Sequence, residues 1–274
     1  MSIASENNSG ENDTQMEDVR PVSPEFVSEI VHALENEDRE QIDFLLEPLH
    51  SADVADVFEQ LDDADRKILT AFIGPKMEPD VLSELDASTL DAVLNEMDNA
   101  DVARVITQME SDDAVHVLED LDLVDQREII DALPDEDRIA IEEGLSYPEE
   151  SAGRLLQRTL VSVPGRWTVG KVIDYFRTDK ELPDEFYEIF VVDPMHHPIG
   201  TVALNKIIRS GREVKIRDIM DDDPTVVPVE MDQEEVAYLF RQYDLTSMGV
   251  VDSSGRLIGM ITVDDVVDVI EEEA

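Results

Sequence analysis

The sequence predicts a multidomain α plus α/β protein: an N-terminal α-helical superhelix of short helices, followed by two copies of one small α/β unit. Three observations predict this. Apolar residues recur every twelve positions from Leu45 to Leu145, the texture changes at Tyr147-Pro148, and the remainder repeats itself in short β-rich runs.

In the first region one phase of the repeat reads Leu45, Val57, Leu69, Val81, Val93, Val105, Val117, Ile129 and Ile141. Four residues later come Leu49, Leu61, Ile73, Leu85, Met97, Met109, Leu121, Leu133 and Leu145. A third phase holds Leu46, Phe58, Leu82, Leu94, Ile106, Leu118 and Ile130, with Thr70 and Glu142 as exceptions. Offsets of one and four share a helical face. After each apolar end stands a capping or breaking residue: Asp62, Gly74, Asp86, Asp98, Glu110, Asp122, Pro134 or Ser146. Asp and Ser can accept from the orphan amides that open the next helix. The unit is a two-turn helix plus a turn. Helices so short are marginal alone and must share a stacked core. Residues 23–147 are therefore expected to form one superhelical domain, and 1–22, polar and acidic, a disordered tail.

In the second region Val172-Ile173-Asp174-Tyr175-Phe176-Arg177 matches Val236-Ala237-Tyr238-Leu239-Phe240-Arg241, and Val191-Val192-Asp193 matches Val250-Val251-Asp252. The spacing shortens between these blocks, which gives the first copy a longer loop around Asp179 to Glu185. Each copy reads strand, helix, strand, strand, helix. The expected domains are 148–217 and 218–274, packed as one pseudo-symmetric unit.

Composition narrows the function. There are 67 Asp plus Glu against 21 Lys plus Arg, a formal net charge of -46. Such a chain repels nucleic acid and anionic headgroups, so no nucleic-acid partner is expected. The excess suits a soluble or salt-adapted protein, and equally one that attracts hard divalent cations through oxygen ligands. With no cysteine, disulfides, thiolate metal sites and cysteine nucleophiles are excluded. The sequence has no apolar run of membrane-spanning length and no signal-like start.

The second copy carries Val250-Val251-Asp252-Ser253-Ser254-Gly255-Arg256-Leu257-Ile258-Gly259-Met260-Ile261-Thr262-Val263-Asp264-Asp265-Val266. That stretch resembles a CBS domain (the cystathionine β-synthase type), and the two copies a tandem CBS-domain pair. With the helical repeat upstream, the junction Tyr147-Pro148-Glu149-Glu150-Ser151-Ala152-Gly153-Arg154-Leu155, and Asp232-Gln233-Glu234-Glu235-Val236-Ala237, the chain is similar to the cytoplasmic region of the MgtE family of magnesium transporters. The resemblance implies a magnesium-sensing region on the cytoplasmic side of the cell membrane, soluble in itself. It also implies a homodimer through the CBS domains. If the chain is a piece of a longer protein, it implies a transmembrane pore domain of the same family as partner.

The resemblance further implies Mg2+ bound by carboxylates between the helical domain and the second CBS domain, and near a connecting helix. The CBS-side candidates are Asp232, Glu234, Asp244, Asp265, Asp268 and Glu273; those on the helical side are Asp80 and Asp112. One departure stands out: where the resemblance favours a carboxylate one turn after Asp112, this chain has His116, and neutral imidazole is a poor magnesium ligand. Asp265 and Asp268 lie three apart and share a helical face, with Val263, Val266 and Val267 expected on the buried side. Any of these acids can instead be a helix cap or a solvated charge.

A nucleotide is the second candidate ligand. CBS domains often hold ribose and phosphate with a hydroxyl followed three residues later by Asp, here Thr262 and Asp265, for which ATP is the expected ligand; a helix cap is the alternative reading. The first copy has Ala203 and Lys206 at those positions. Gly165-Arg166-Trp167-Thr168-Val169-Gly170-Lys171-Val172 approaches a phosphate-binding loop but ends in Val172 where the hydroxyl should stand. The pair His196-His197 has no chelating spacing. No catalytic constellation stands out, so a non-enzyme is expected, with an adenine-nucleotide sensor or a helical interaction scaffold as the rivals to a magnesium gate.

Overall fold

The computed structural model describes residues 22–119, 121–180, 182–183 and 186–272, without the side chains of Asp268, Glu271 and Glu272. The first region contains ten described α-helices: α1 Pro24–Glu35, α2 Arg39–Leu46, α3 Ser51–Gln60, α4 Asp63–Ile73, α5 Pro79–Ser83, α6 Ala87–Glu96, α7 Asn99–Ile106, α8 Ser111–Glu119, α9 Leu123–Ala132 and α10 Asp135–Ser146. Most are longer than two turns.

The twelve-residue repeat becomes a single core. Every residue of the first phase, from Leu45 to Ile141, is buried, as are Phe58, Leu82, Leu94, Ile106, Leu118 and Ile130 of the third. Of the two exceptions, Thr70 is also buried, its hydroxyl donating to the Arg66 carbonyl at 2.9 Å, while Glu142 turns to solvent. Asp62, Asp86 and Asp122 act as N-caps that accept from amides two or three residues on. Asp98 and Pro134 stand at N-cap positions without a side-chain bond.

The second region gives β1 Ser162–Pro164, α11 Val169–Thr178, β2 Glu188–Val192, β3 Pro198–Ala203 and α12 Leu204–Arg209. It repeats as β4 Val226–Pro228, α13 Gln233–Tyr243, β5 Ser247–Val251, β6 Leu257–Thr262 and α14 Val263–Glu272. Each copy forms a three-stranded sheet in which the first two strands are parallel and the last two antiparallel. The two sheets meet through Phe190, Val192, Leu257 and Met260.

Extended segments cross between the copies. The junction before β1 lies on the second copy: Ala152 and Leu156 join its core, Ala152 N–H donates to the Met231 carbonyl, and Gln157 pairs with Met260 of β6. The segment before β4 pairs with the first, through Asp221 and Thr201 of β3. Each crossing needs a glycine. A Cβ at Gly259 would lie 2.5 Å from the Gln157 carbonyl oxygen, and one at Gly200 would lie 2.3 Å from that of Asp221. Among the described residues no helix is long and apolar enough to cross a membrane.

Candidate functional site

The junction ties the helical domain to the second CBS-like copy. Its Gln157 exchanges two backbone bonds with Met260 of β6, both 2.9 Å. On its other side it meets the start of α8. Ser111 Oγ donates to the Leu156 carbonyl and accepts from Arg158 N–H, each at 3.0 Å, and the Gln157 side-chain amide donates to Glu110. The far end of α8 is held by Arg154, whose Nη1 lies 2.8 Å from Glu119 Oε2 while its other nitrogens donate to the carbonyls of Tyr147 and Leu145. Arg158 pairs with Glu143 of α10. Since β6 runs directly into α14, these bonds set the first turn of α8 against the first turn of α14.

Two carboxylates meet in that seam. Asp112 is buried, 5% exposed, and its Oδ1 has no hydrogen-bond partner. Burial pushes its carboxyl well above the usual carboxylate range, and the charges of Asp265, Asp113 and Glu110 push it further. Asp265 is half-buried at the start of α14. Burial, and next the charge of Asp264, push its carboxyl up to about 7, against the lowering effect of two bonds from Thr262. An orphaned buried carboxylate oxygen is costly in any protein, so the seam is short of positive charge.

Thr262 and Asp265 are bonded to each other. Thr262 Oγ and N–H donate to Asp265 Oδ2 at 2.9 and 3.1 Å. Asp265 thus folds back on the entry to α14 while still facing Asp112.

The other predicted ligands are more scattered. Asp80 is exposed on α5 and does not enter the charge surroundings of Asp112 or Asp265. Asp232 is the exposed N-cap of α13, accepting from Glu234 N–H at 3.0 Å. It lines a shallow cavity of about 550 Å³ with Glu234, Glu235, Met231, Tyr238 and Leu239. Asp244 ends α13 in the left-handed region, φ 52°. The Asp268 side chain and the whole of Glu273 lie outside the described residues. His116 is 3.6 Å from Glu119. Among the described residues, no three His, Asp or Glu side chains converge tightly enough to hold an ion. Magnesium fits that limit, because it commonly keeps several waters and takes only one or two carboxylates.

The expected packing of α14 needs one correction. Val263 and Val267 are exposed, at 43% and 46%, and the buried side is Val266 and Val269. The helix leaves β6 rotated so that Asp265 rather than Val263 turns inward. Glu110, Asp113 and Asp264, which add to the charge of the seam, were legible only as a breaker and as neighbours of the chosen acids. The near phosphate loop is a helix entry: Thr168 caps α11 and Gly170 N–H donates to the Arg212 carbonyl.

Residues 49–150 match the MgtE intracellular N domain, and residues 216–272 match the CBS domain. The chain is 37% identical over 144 residues to the magnesium transporter MgtE of Thermus thermophilus, covering 53% of this chain and 32% of that protein. It is 33% identical over 139 residues to that of Enterococcus faecalis, covering 51% and 31%. It spans about a third of the length of these relatives. Among solved structures, the soluble part of a magnesium transporter superposes with a TM-score of 0.79 at 28% identity, covering 91% of this chain and 98% of that one. The cytosolic domain of the Mg2+ channel MgtE in complex with ATP gives 0.81 at 27% identity, covering 89% and 99%. With a matching helical domain, a matching CBS domain and a second copy of the CBS topology between them, the chain is similar to the cytosolic region of MgtE magnesium transporters.

Proposed function

We propose that this chain is the magnesium-sensing region of a transporter and that the Asp112–Asp265 seam is where it reads the ion. The observation that carries this reading is the buried, unpartnered Oδ1 of Asp112, set among the charges of Asp265, Asp113 and Glu110. Magnesium, when bound, supplies the positive charge that lets these carboxylates ionise while close together. Without it, Asp112 and Asp265 must either hold a proton or separate, and separation frees α8 from the start of α14. The gate then consists of the helical domain moving relative to the CBS pair, which would act on a pore partner; the CBS pair would join two copies of the chain.

Magnitudes require more than one site. A site at ten times its dissociation constant contributes roughly 1.4 kcal/mol, whereas inverting a 1:99 population takes about 5.5 kcal/mol. The carboxylates around Asp232 and Glu234 are the next candidates, since they line one cavity on α13, which packs against α14.

Calorimetric titration with magnesium chloride tests the reading. The native chain is expected to bind, and Asp112→Asn to bind more weakly with fewer ions. Equal binding by both would remove the seam from the function. A second reading, an adenine-nucleotide sensor, draws support from the similarity to a domain solved with ATP. Heat on adding ATP that Thr262→Val abolishes would support it.

A further inference from the structure

The β-hairpin turns of the two CBS copies are built alike. Asp193 and Asp252 occupy the same place, each accepting through Oδ1 from amides two and four residues on. Each turn then has a residue at positive φ, His196 at 68° and Gly255 at 77°. The next residue is a cation or can become one. In the second copy Arg256 Nε donates to Asp252 Oδ2 at 2.9 Å. In the first copy His197 Nδ1 lies 3.0 Å from Asp193 Oδ2. The second copy thus holds its turn with a permanent charge, and the first with a titratable one.

His197 also reaches across. Its Nε2 lies 3.2 Å from the Ser254 carbonyl oxygen in the other copy's turn, and beside it Leu257 N–H donates to the His196 carbonyl at 2.9 Å. A carboxylate and a carbonyl can only accept. A neutral imidazole has one N–H and can satisfy one of them, whereas the imidazolium has two and satisfies both. We propose that His197 is a proton-dependent clasp between the two CBS copies, donating from Nδ1 to Asp193 and from Nε2 to Ser254 when charged, and releasing one of the two when neutral.

The surroundings favour the charged form. On its own turn the ring faces Asp193. From the opposite turn Asp252 faces it, with Arg256 paired to that Asp252, and His196 is its chain neighbour. The bond to Asp193 comes first in raising the ring above its ordinary 6.5, burial opposes, and the charges of Asp193 and Asp252 add to the rise. For a raised histidine the contribution is complete below 6.5 and is lost as pH climbs through the raised value. The clasp sits beside the sheet contact of Phe190, Val192, Leu257 and Met260, so its release loosens the edge of that contact.

The test is a pH titration of the isotopically labelled full chain by NMR, following the His197 ring and the Leu257 amide together. The expected result is a shared midpoint above 6.5, with the Leu257 signal flat across pH in His197→Gln and in His197→Arg. The first variant should rest at the native high-pH position. The second should rest at its low-pH position, because arginine supplies the permanent charge found at Arg256. A His197 midpoint at or below 6.5, a Leu257 amide that ignores the ring, or native titration of that amide in His197→Gln would each overturn the proposal.

Discussion

Asp112 concentrates the consequences at the scale of single residues. Its carboxyl and that of Asp265 are both raised, so the seam holds protons that the separated surfaces would release. A raised acid favours the closed seam at low pH, and that advantage fades as pH rises toward the folded value. For Asp265 the window runs from the ordinary 3.8 to about 7. In the absence of divalent ions, small-angle scattering should therefore show a smaller radius of gyration near the acid end of that window than above it. Asp112→Asn with Asp265→Asn should flatten this pH dependence, and a variant that keeps it would move the proton site elsewhere. Asp264→Asn is the matched control: Asp264 is exposed and acts on Asp265 only through its charge, so it should weaken the effect without removing it.

At the scale of elements, the glycine at the crossing of Leu156 and Gln157 is a sharp point of failure. In Gly259→Ala the new Cβ would meet the Gln157 carbonyl at 2.5 Å and Leu156 Cδ1 at 2.3 Å. The leucine can turn away but the backbone must shift, which costs about 1–3 kcal/mol and pulls the junction off α8. Thermal melting should fall accordingly, and the cation response should weaken with it; an unchanged melt would mean that the junction is not fixed by that contact. In the helical domain, Leu118→Ala opens a fully buried position and should cost about 2–5 kcal/mol in denaturant unfolding. The superhelix was legible because its period lies in the sequence itself: the phase that recurs every twelve positions places a buried residue on each helix from α2 to α10. The tilt of α14 was not, because Val263, Val266 and Val267 are chemically alike. Which of them turns inward depends on how β6 hands the chain over and on Asp265 folding back to cap it. The pairing of Asp112 with Asp265 followed only from the family resemblance, since α8 and α14 stand far apart in sequence and no local pattern joins them.

For the whole molecule, the net charge of -46 makes selective and general cation effects easy to confuse. Salt screens charges beyond about 8 Å but supplies no directed ligand inside a buried seam. Pairing of two chains through the CBS halves should appear in light scattering with magnesium as about twice 30.8 kDa, and a strictly monomeric mass would count against a gate built on a dimer. On the proposed reading, magnesium closes the seam between the helical domain and the second CBS copy through Asp112 and Asp265. Limited proteolysis within residues 80–120, compared in magnesium chloride and in sodium chloride at matched ionic strength, separates that closure from general screening. Magnesium alone should protect the native chain, and Asp112→Asn with Asp265→Asn should gain less protection and need more magnesium for it. Equal protection by the two salts, or an unchanged magnesium response in the double variant, would contradict that reading.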